Sequence, residues 1–553
     1  MKLQKLIIKN FRGLKGEKNI IDFSKSNIIF LIGQNNAGKS SFLRGYEFFV
    51  NSSQKAALSD FFNYDINEPI VIEGVFLKEQ ADETDDELKG KGKSEEPDWV
   101  NKWVDADNLV RIRKVWKMHD EAFEKYTFSP QTDSWIMNGF GGMQSLFTKY
   151  SPTAISISAM ESESSLEDKV NKLIQDDVLK KLREDYPDDF SKLVTGVKDL
   201  QKKVLGSDIV SKYNDEINEQ FKKVFADLTL KIDPKNDEYI KLEDAFKKNH
   251  SVNIRKDGID RDEVFTQYGH GVIRQALYNF ISFLKKTSSG TRKSYIILFE
   301  EPELFLHPEA AFRLRKSLYD LAENSPFQIL IATHSPLMID ISKPHTSLVR
   351  IVKHADESTE AYQVDDDVFR GDEEKKDRIQ MINRFNPHIC ESFYAKNVII
   401  VEGDTEAIVF RDLIGRFYNQ YEVYVLNSGT KNNIPFFQEI FTAFHIQHCV
   451  IHDSDSRTIP NGNANSAWSL NESIWRNIEL SNAKKNGLAR RYVHIGNFEV
   501  AHDVQLTGKD KPLKAYEYVV TLDQDSDVPC LKILKDLFGD QVILHDKDFV
   551  DGL

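Results

Sequence analysis

The stretch Gly33-Gln-Asn-Asn-Ala-Gly38-Lys39-Ser40 has the spacing of a loop that wraps phosphate. Successive backbone N–H groups in such a loop point at an anion lying on a helix N-terminus. Lys39 is placed to reach β- and γ-phosphates and Ser40 to ligate Mg²⁺, with Asn35, Asn36, Gly38 and Ser41 lining the nucleotide. Far downstream, Ile296-Ile-Leu-Phe-Glu300-Glu301-Pro302-Glu303 ends an apolar run in carboxylates. Glu300 then meets the metal or its water shell, and Glu301 is the candidate base for the attacking water. His334, in Thr333-His334-Ser335-Pro336, follows the next apolar run, a position suited to sensing a γ-phosphate.

A second group of acids has a different pattern. Glu402 and Glu406, in Val398-Ile-Ile-Val-Glu402-Gly403-Asp404-Thr405-Glu406, lie four apart across a strand-to-helix turn. That spacing puts two carboxylates near one strand end and one helical turn. Asp453 and Asp455, in His452-Asp453-Ser454-Asp455, follow another apolar run, and residues i and i+2 share a side when the chain is extended. Oxygen ligands at adjacent strand ends suit Mg²⁺ or Mn²⁺ rather than zinc. Such a centre can hold the attacking and leaving oxygens of a phosphodiester.

These residues need strands to carry them, and the sequence supplies strands alternating with helical stretches. Ile28-Ile-Phe-Leu-Ile32 reads as a buried strand before the glycine loop, with helix-forming residues after it. Apolar runs at 294–299, 328–332, 398–401 and 449–451 alternate with helical spacing, which predicts layered α/β architecture. With 553 residues the chain is too long for one core. The expected organisation is an ATPase domain over 1–160 and 256–388, split by a helical insertion at 161–255 that is either self-packed or a dimerisation arm, then a second α/β domain at 389–553. The acidic stretch 78–98 reads as a solvated loop. Net charge is −14, so nucleic acid would have to be met by local basic patches. Cys390, Cys449 and Cys530 show no metal spacing and fit a reducing cytoplasm. No apolar run is long enough to cross a membrane, and no signal peptide is expected.

Taken together, Asn10-Phe11-Arg12-Gly13-Leu14, the glycine loop, Tyr268-Gly-His-Gly271, Glu300-Glu301-Pro302-Glu303 and Thr333-His334-Ser335-Pro336 resemble the ABC-type ATPases of the RecF/SMC/OLD group. The resemblance implies that Gly269 and Gly271 complete the ATP site of another copy, hence a homo-oligomer, dimer or tetramer. The downstream acids resemble the TOPRIM fold. In this order, the two resemble the overcoming-lysogenization-defect (OLD) family of ATP-dependent nucleases, which includes the Gabija nuclease subunit and retron-associated effectors. Asn427-Ser-Gly429-Thr-Lys431 sits where that family carries a glycine turn. His494-Ile-Gly-Asn497-Phe498-Glu499 sits where it carries Asp-Leu-Glu, so Glu499 carries over as a metal ligand and Asn497 departs. Lys509-Asp-Lys511-Pro512-Leu-Lys514 matches the place of its catalytic lysine, with Lys511 favoured over Lys514.

The expected function is therefore an ATP-binding, Mg²⁺-dependent (or Mn²⁺-dependent) endonuclease on DNA in bacterial antiviral defence. A partner such as a helicase, or a reverse transcriptase with its RNA, is one implication of the family. Two other readings stand beside it. One is an ABC ATPase of repair or clamp type whose TOPRIM domain only binds, for which Asn497 speaks. The other is a topoisomerase or primase, against which the lack of a Cys₄ zinc module speaks.

Overall fold

The computed structural model describes residues 1–79, 102–139, 150–160, 294–323, 327–385, 387–506 and 510–539, with the short stretches 253–255 and 262–264 and a few isolated positions. Gly269 and Gly271, nearly all of the expected insertion and most of the acidic stretch lie outside the described residues.

The chain starts with β1 (Lys2–Lys9) and β2 (Ile20–Asp22), then β3 (Ile28–Ile32) and α1 (Lys39–Val50). Next come β4 (Ile70–Leu77), β5 (Leu109–Trp116), β6 (Glu124–Ser129) and β7 (Ser134–Met137). One antiparallel sheet runs in the order β2-β1-β4-β5-β6-β7. In β1 both Leu3 and Leu6 are buried although an odd number apart. The pairing with β4 shifts register between Leu3 and Lys5, and such a bulge turns the next side chain back to the core.

β8 (Thr153–Ile157) opens the edge of a second sheet. Two short strands follow, β9 (Asn253–Arg255) and β10 (Asp262–Val264), an antiparallel pair belonging to a separate unit, Met160–Leu284. The second sheet is completed by β11 (Tyr295–Glu300), β12 (Phe327–Ala332), β13 (Leu348–Lys353) and β14 (Thr359–Gln363), with α2 (Pro308–Ala322) between β11 and β12. Its order is β14-β13-β3-β12-β11-β8, parallel except for β14. Every residue of β3 and β12 is buried, as expected of strands covered on both faces. α1 packs Phe42, Tyr46 and Phe49 with Ile29 and Leu31, whereas Tyr319 of α2 meets Phe30 on the other face. Parallel strands bring their C-terminal ends to one edge, which is where Gly33, Glu300 and Thr333 fall.

After α3 (Glu373–Phe385) comes a third sheet. It is built from β15 (Asn397–Val401), α4 (Asp404–Phe417), β16 (Val423–Asn427), α5 (Ile434–Ala443), β17 (Gln447–Asp453), α6 (Ser466–Lys484) and β18 (Ala489–His494). Three further helices, α7 (Phe498–His502), α8 (Lys511–Val520) and α9 (Pro529–Leu537), follow. The sheet is all parallel, in the order β16-β15-β17-β18. α4, α8 and α9 share one core, in which Phe410, Leu413, Ala515, Val519 and Leu531 are buried.

The second and third sheets meet through a buried cation. Arg350, on β13, donates to the carbonyls of His445 (2.9 Å), Phe444 (3.4 Å) and Ala395 (3.3 Å), the first two just past the end of α5. A cation at a helix C-terminus meets the negative end of its dipole. Around it Tyr362 stacks on His445 and Phe369 on Phe436, while Lys375 pairs with both carboxylate oxygens of Glu439. No helix among the described residues is long and apolar enough to cross a membrane, and the three cysteines are buried and outside any disulfide.

Candidate functional site

The glycine loop joins β3 to α1 and is gripped from β13 and β14. Gly33 has φ 146° and a Cβ there would lie 2.2 Å from the Ile351 carbonyl. Gly38, the N-cap of α1, has φ 101°, and a Cβ would lie 2.8 Å from Thr359 Oγ1. Thr359 Oγ1 donates to the Ala37 carbonyl at 3.0 Å. Both glycines are thus required by backbone angle and by space.

Lys39 is buried and folds back over this loop, donating to the carbonyls of Gly33 (2.6 Å) and Gln34 (2.7 Å). Burial pulls its ammonium down to about 8, against the opposite pull of Glu301 and Glu303. His334 Nδ1 lies 3.2 Å from Lys39 Nζ, and its Nε2 lies 3.5 Å from Glu301. Burial and then Lys39 lower the His334 pKa, which favours the neutral imidazole. Ser40 Oγ donates to Glu300. Asn35 and Asn36 are exposed at the loop tip, and Ser41 is half-buried in the first turn of α1. The geometry brings the phosphate-loop lysine, the hydroxyl, both glutamates and the histidine onto one edge.

Glu303, quoted in the acidic run but assigned no role, is half-buried among them. It accepts from Thr333 Oγ1 (2.7 Å) and the His334 N–H (3.2 Å), fixing the turn that carries the histidine. Burial raises its pKa.

In the third sheet the acids gather at the same kind of edge. Glu402 follows β15, and its carboxylate accepts the Asp453 N–H at 2.8 Å. Burial pushes Glu402 up to about 8, Asp453 adding to this and Lys431 opposing it. Glu406, one turn into α4, is buried and also raised, by burial first and Asp453 second. Asp453 ends β17, and its Oδ1 is buried without a hydrogen bond. Two glutamates whose charged forms are disfavoured by burial and by Asp453, together with an aspartate that carries an orphaned oxygen, are a donor set that fits a hard divalent cation.

Asp455 departs from expectation. The strand stops at Asp453, and Asp455 has φ 61°, so the pair does not share a side as in an extended chain. Its carboxylate is held by Lys431 at 2.7 Å, and the same ammonium donates to the Asp453 carbonyl. Glu499, in α7, is paired with Lys511 at the start of α8. Burial works against the Lys511 ammonium, but Glu499, with Glu406 and Asp453 beyond it, raises its pKa. Lys514 is exposed one turn on. Asn497 is the N-cap of α7, its Oδ1 accepting the Val500 N–H at 2.9 Å. Among the described residues no three His, Cys, Asp or Glu side chains already stand at ligand spacing.

Two participants carried no assigned role in the sequence reading. Lys431 lay within the Gly429 turn, and a lysine beside a glycine turn between two acidic motifs is a usable signal. His494 ends β18 opposite Asp453 in the register, which only the strand pairing reveals.

Comparison with known proteins agrees with this division. The AAA ATPase domain model matches residues 1–339, and the overcoming lysogenization defect protein-like TOPRIM domain model matches residues 393–455. The chain is 24% identical to Old nuclease of Escherichia phage P2 over 479 residues, covering 82% of this chain and 77% of that one. It is 24% identical to endonuclease GajA of Bacillus cereus over 464 residues, covering 78% and 70%. Among solved structures, an SMC head bound to the C-winged helix domain of ScpA aligns with 66% of this chain and 98% of that one, at 13% identity and a TM-score of 0.40. With the ATPase model spanning more than half its length, the chain belongs to the AAA ATPase family, and it carries an OLD-like TOPRIM domain behind the ATPase.

Proposed function

We propose that this chain is an ATP-dependent, divalent-metal-dependent endonuclease that cuts DNA, serving bacterial antiviral defence as a homo-oligomer. The observation that carries it is the meeting of Glu402, Glu406 and Asp453 at adjoining parallel strand ends, in a chain whose other parallel sheet presents Lys39, Glu300, Glu301 and His334.

At the nucleotide site the loop N–H groups and Lys39 hold the phosphates, once Lys39 leaves the Gly33 and Gln34 carbonyls. Ser40 and Glu300 hold Mg²⁺. Glu301 orients the attacking water, and His334 reads the γ-phosphate. Gly269 and Gly271 complete the site in a second copy.

At the other site Glu402, Glu406 and Asp453 hold Mg²⁺ or Mn²⁺, with Asp455 and Glu499 available when Lys431 and Lys511 release them. The bound cation supplies Lewis-acid stabilisation of charge on the phosphodiester. Lys511 adds a fixed positive charge beside the scissile phosphate.

Plasmid cleavage by the purified protein with Mg²⁺ or Mn²⁺, with and without ATP, beside Asp453→Ala, tests this. We expect nicked or linear product, lost at least about 100-fold in the variant while nucleotide binding is unchanged. Cleavage that survives in Asp453→Ala would put the centre elsewhere. Relaxed closed circles would mean strand passage instead of hydrolysis.

A further inference from the structure

His494 ends β18 and pairs with Asp453 in the parallel register. Its side chain is fully buried, yet neither ring nitrogen makes a hydrogen bond. Nδ1 lies 3.4 Å from Asp453 Oδ1, which is itself buried without a hydrogen bond. The contact is thus close but not aligned as donor and acceptor. Leaving buried polar atoms unpartnered is costly, and the facing pair, Nδ1 and Oδ1, calls for an occupant that uses both.

The ring is held in this pose. It stands edge-on to Phe498 (5.4 Å) and His502 (5.1 Å). His502 is locked in turn: its Nε2 accepts the Cys530 N–H at 3.1 Å, and its Nδ1 meets the Phe498 carbonyl at 2.9 Å. His452, the neighbour of Asp453 on β17, points to the opposite face by strand alternation and meets the Asp453 carbonyl with Nδ1.

The spacing is that of two ligands on one cation. Donors each about 2.1–2.2 Å from a shared ion and 3.4 Å apart subtend about 105°, wider than the 90° of an ideal octahedral pair, so the two side chains need close by only a few tenths of an ångström to share one cation. Mg²⁺ and Ca²⁺ take oxygen ligands, and an imidazole nitrogen moves preference toward later divalent ions.

We infer that His494 Nδ1 is a direct ligand of the cation held by Asp453 and Glu406, and that this nitrogen makes the site select Mn²⁺ over Mg²⁺. The inference rests on reading this acid cluster as a metal centre.

Pulsed EPR on the full-length protein loaded with Mn²⁺, without nucleotide so that the phosphate loop does not contribute, reads the ligand directly. We expect the modulation of a coordinated ¹⁴N, absent in His494→Gln. Calorimetric titration should show Mn²⁺ binding weakened at least about tenfold in His494→Gln, and Mg²⁺ binding changed less, so that the Mn²⁺/Mg²⁺ ratio falls. Mn²⁺ bound with no ¹⁴N modulation in the unsubstituted protein overturns the inference and leaves the metal centre standing; that spectrum needs no variant to fold. Mn²⁺ binding that is absent, or equal in Asp453→Asn, removes the metal centre and the inference together.

Discussion

Glu402 is the group whose chemistry is most altered by its surroundings. Burial, with Asp453 close by, pushes its carboxyl up to about 8, so at neutral pH without a cation it is mostly protonated. A metal must displace that proton. Below pH 8 the proton competes, so cation affinity should rise close to tenfold per pH unit for Glu402 alone and level off above it. Glu406, also raised, steepens the climb where it deprotonates with Glu402. Titrations between pH 6 and pH 9, in buffers of different ionisation enthalpy, would count the protons released; an affinity flat across that range contradicts the assignment. Residue types and spacing were enough to nominate Glu402, Glu406 and Asp453. They were not enough for Lys431 or His494, because each earns its place only through a partner on another strand. Asn497, which looked like a lost acid, has its own employment as a helix cap.

Loops here are shaped by the strands beside them. Gly33→Ala should drive a methyl into the Ile351 carbonyl and force a backbone angle that L-residues avoid. We expect nucleotide affinity to fall at least about tenfold and stability to drop by more than about 1 kcal/mol, read by fluorescent-nucleotide binding and by thermal unfolding. Near-normal binding in that variant would mean that β13 moves aside freely. Arg350→Met should remove the donor from three carbonyls, one buried and two partly buried, and lower stability on the order of 2–4 kcal/mol. A denaturation midpoint equal to that of the unsubstituted chain would show that water replaces the guanidinium at no cost. Strand identity was legible wherever a run was wholly apolar, as in β3, or broken by one polar residue, as in β12 and β15, because a strand covered on both faces has no polar side to confuse it. The end of β17 was not: the left-handed turn at Asp455 falls on a non-glycine residue, and no local signal marks it.

At the scale of the molecule, the phosphate loop touches the third sheet's domain directly. Gln34 donates to Glu422, in the connection between α4 and β16, at 2.7 Å. A nucleotide that draws Lys39 off the Gln34 carbonyl rearranges the residue that makes this contact. Glu422→Ala is therefore expected to leave basal cleavage in place and to move the ratio of cleavage with and without ATP at least about threefold toward one, the size of a modest coupling energy. A ratio that stays put would mean the two sites communicate by another route. The order of the two domains was readable from motif order, but this contact was not, since Gln34 fills an unspecified position of the loop and Glu422 belongs to no motif. The way Arg350 ties the sheets has a bearing on how such chains diversify. Its acceptors are main-chain carbonyls, which every sequence provides, so a downstream half from a relative could be grafted on without matching that guanidinium. What a graft would have to match is Lys375 with Glu439 and the Phe369–Phe436 and Tyr362–His445 stacks, and recombinant chimeras should fail or thrive according to those three pairs.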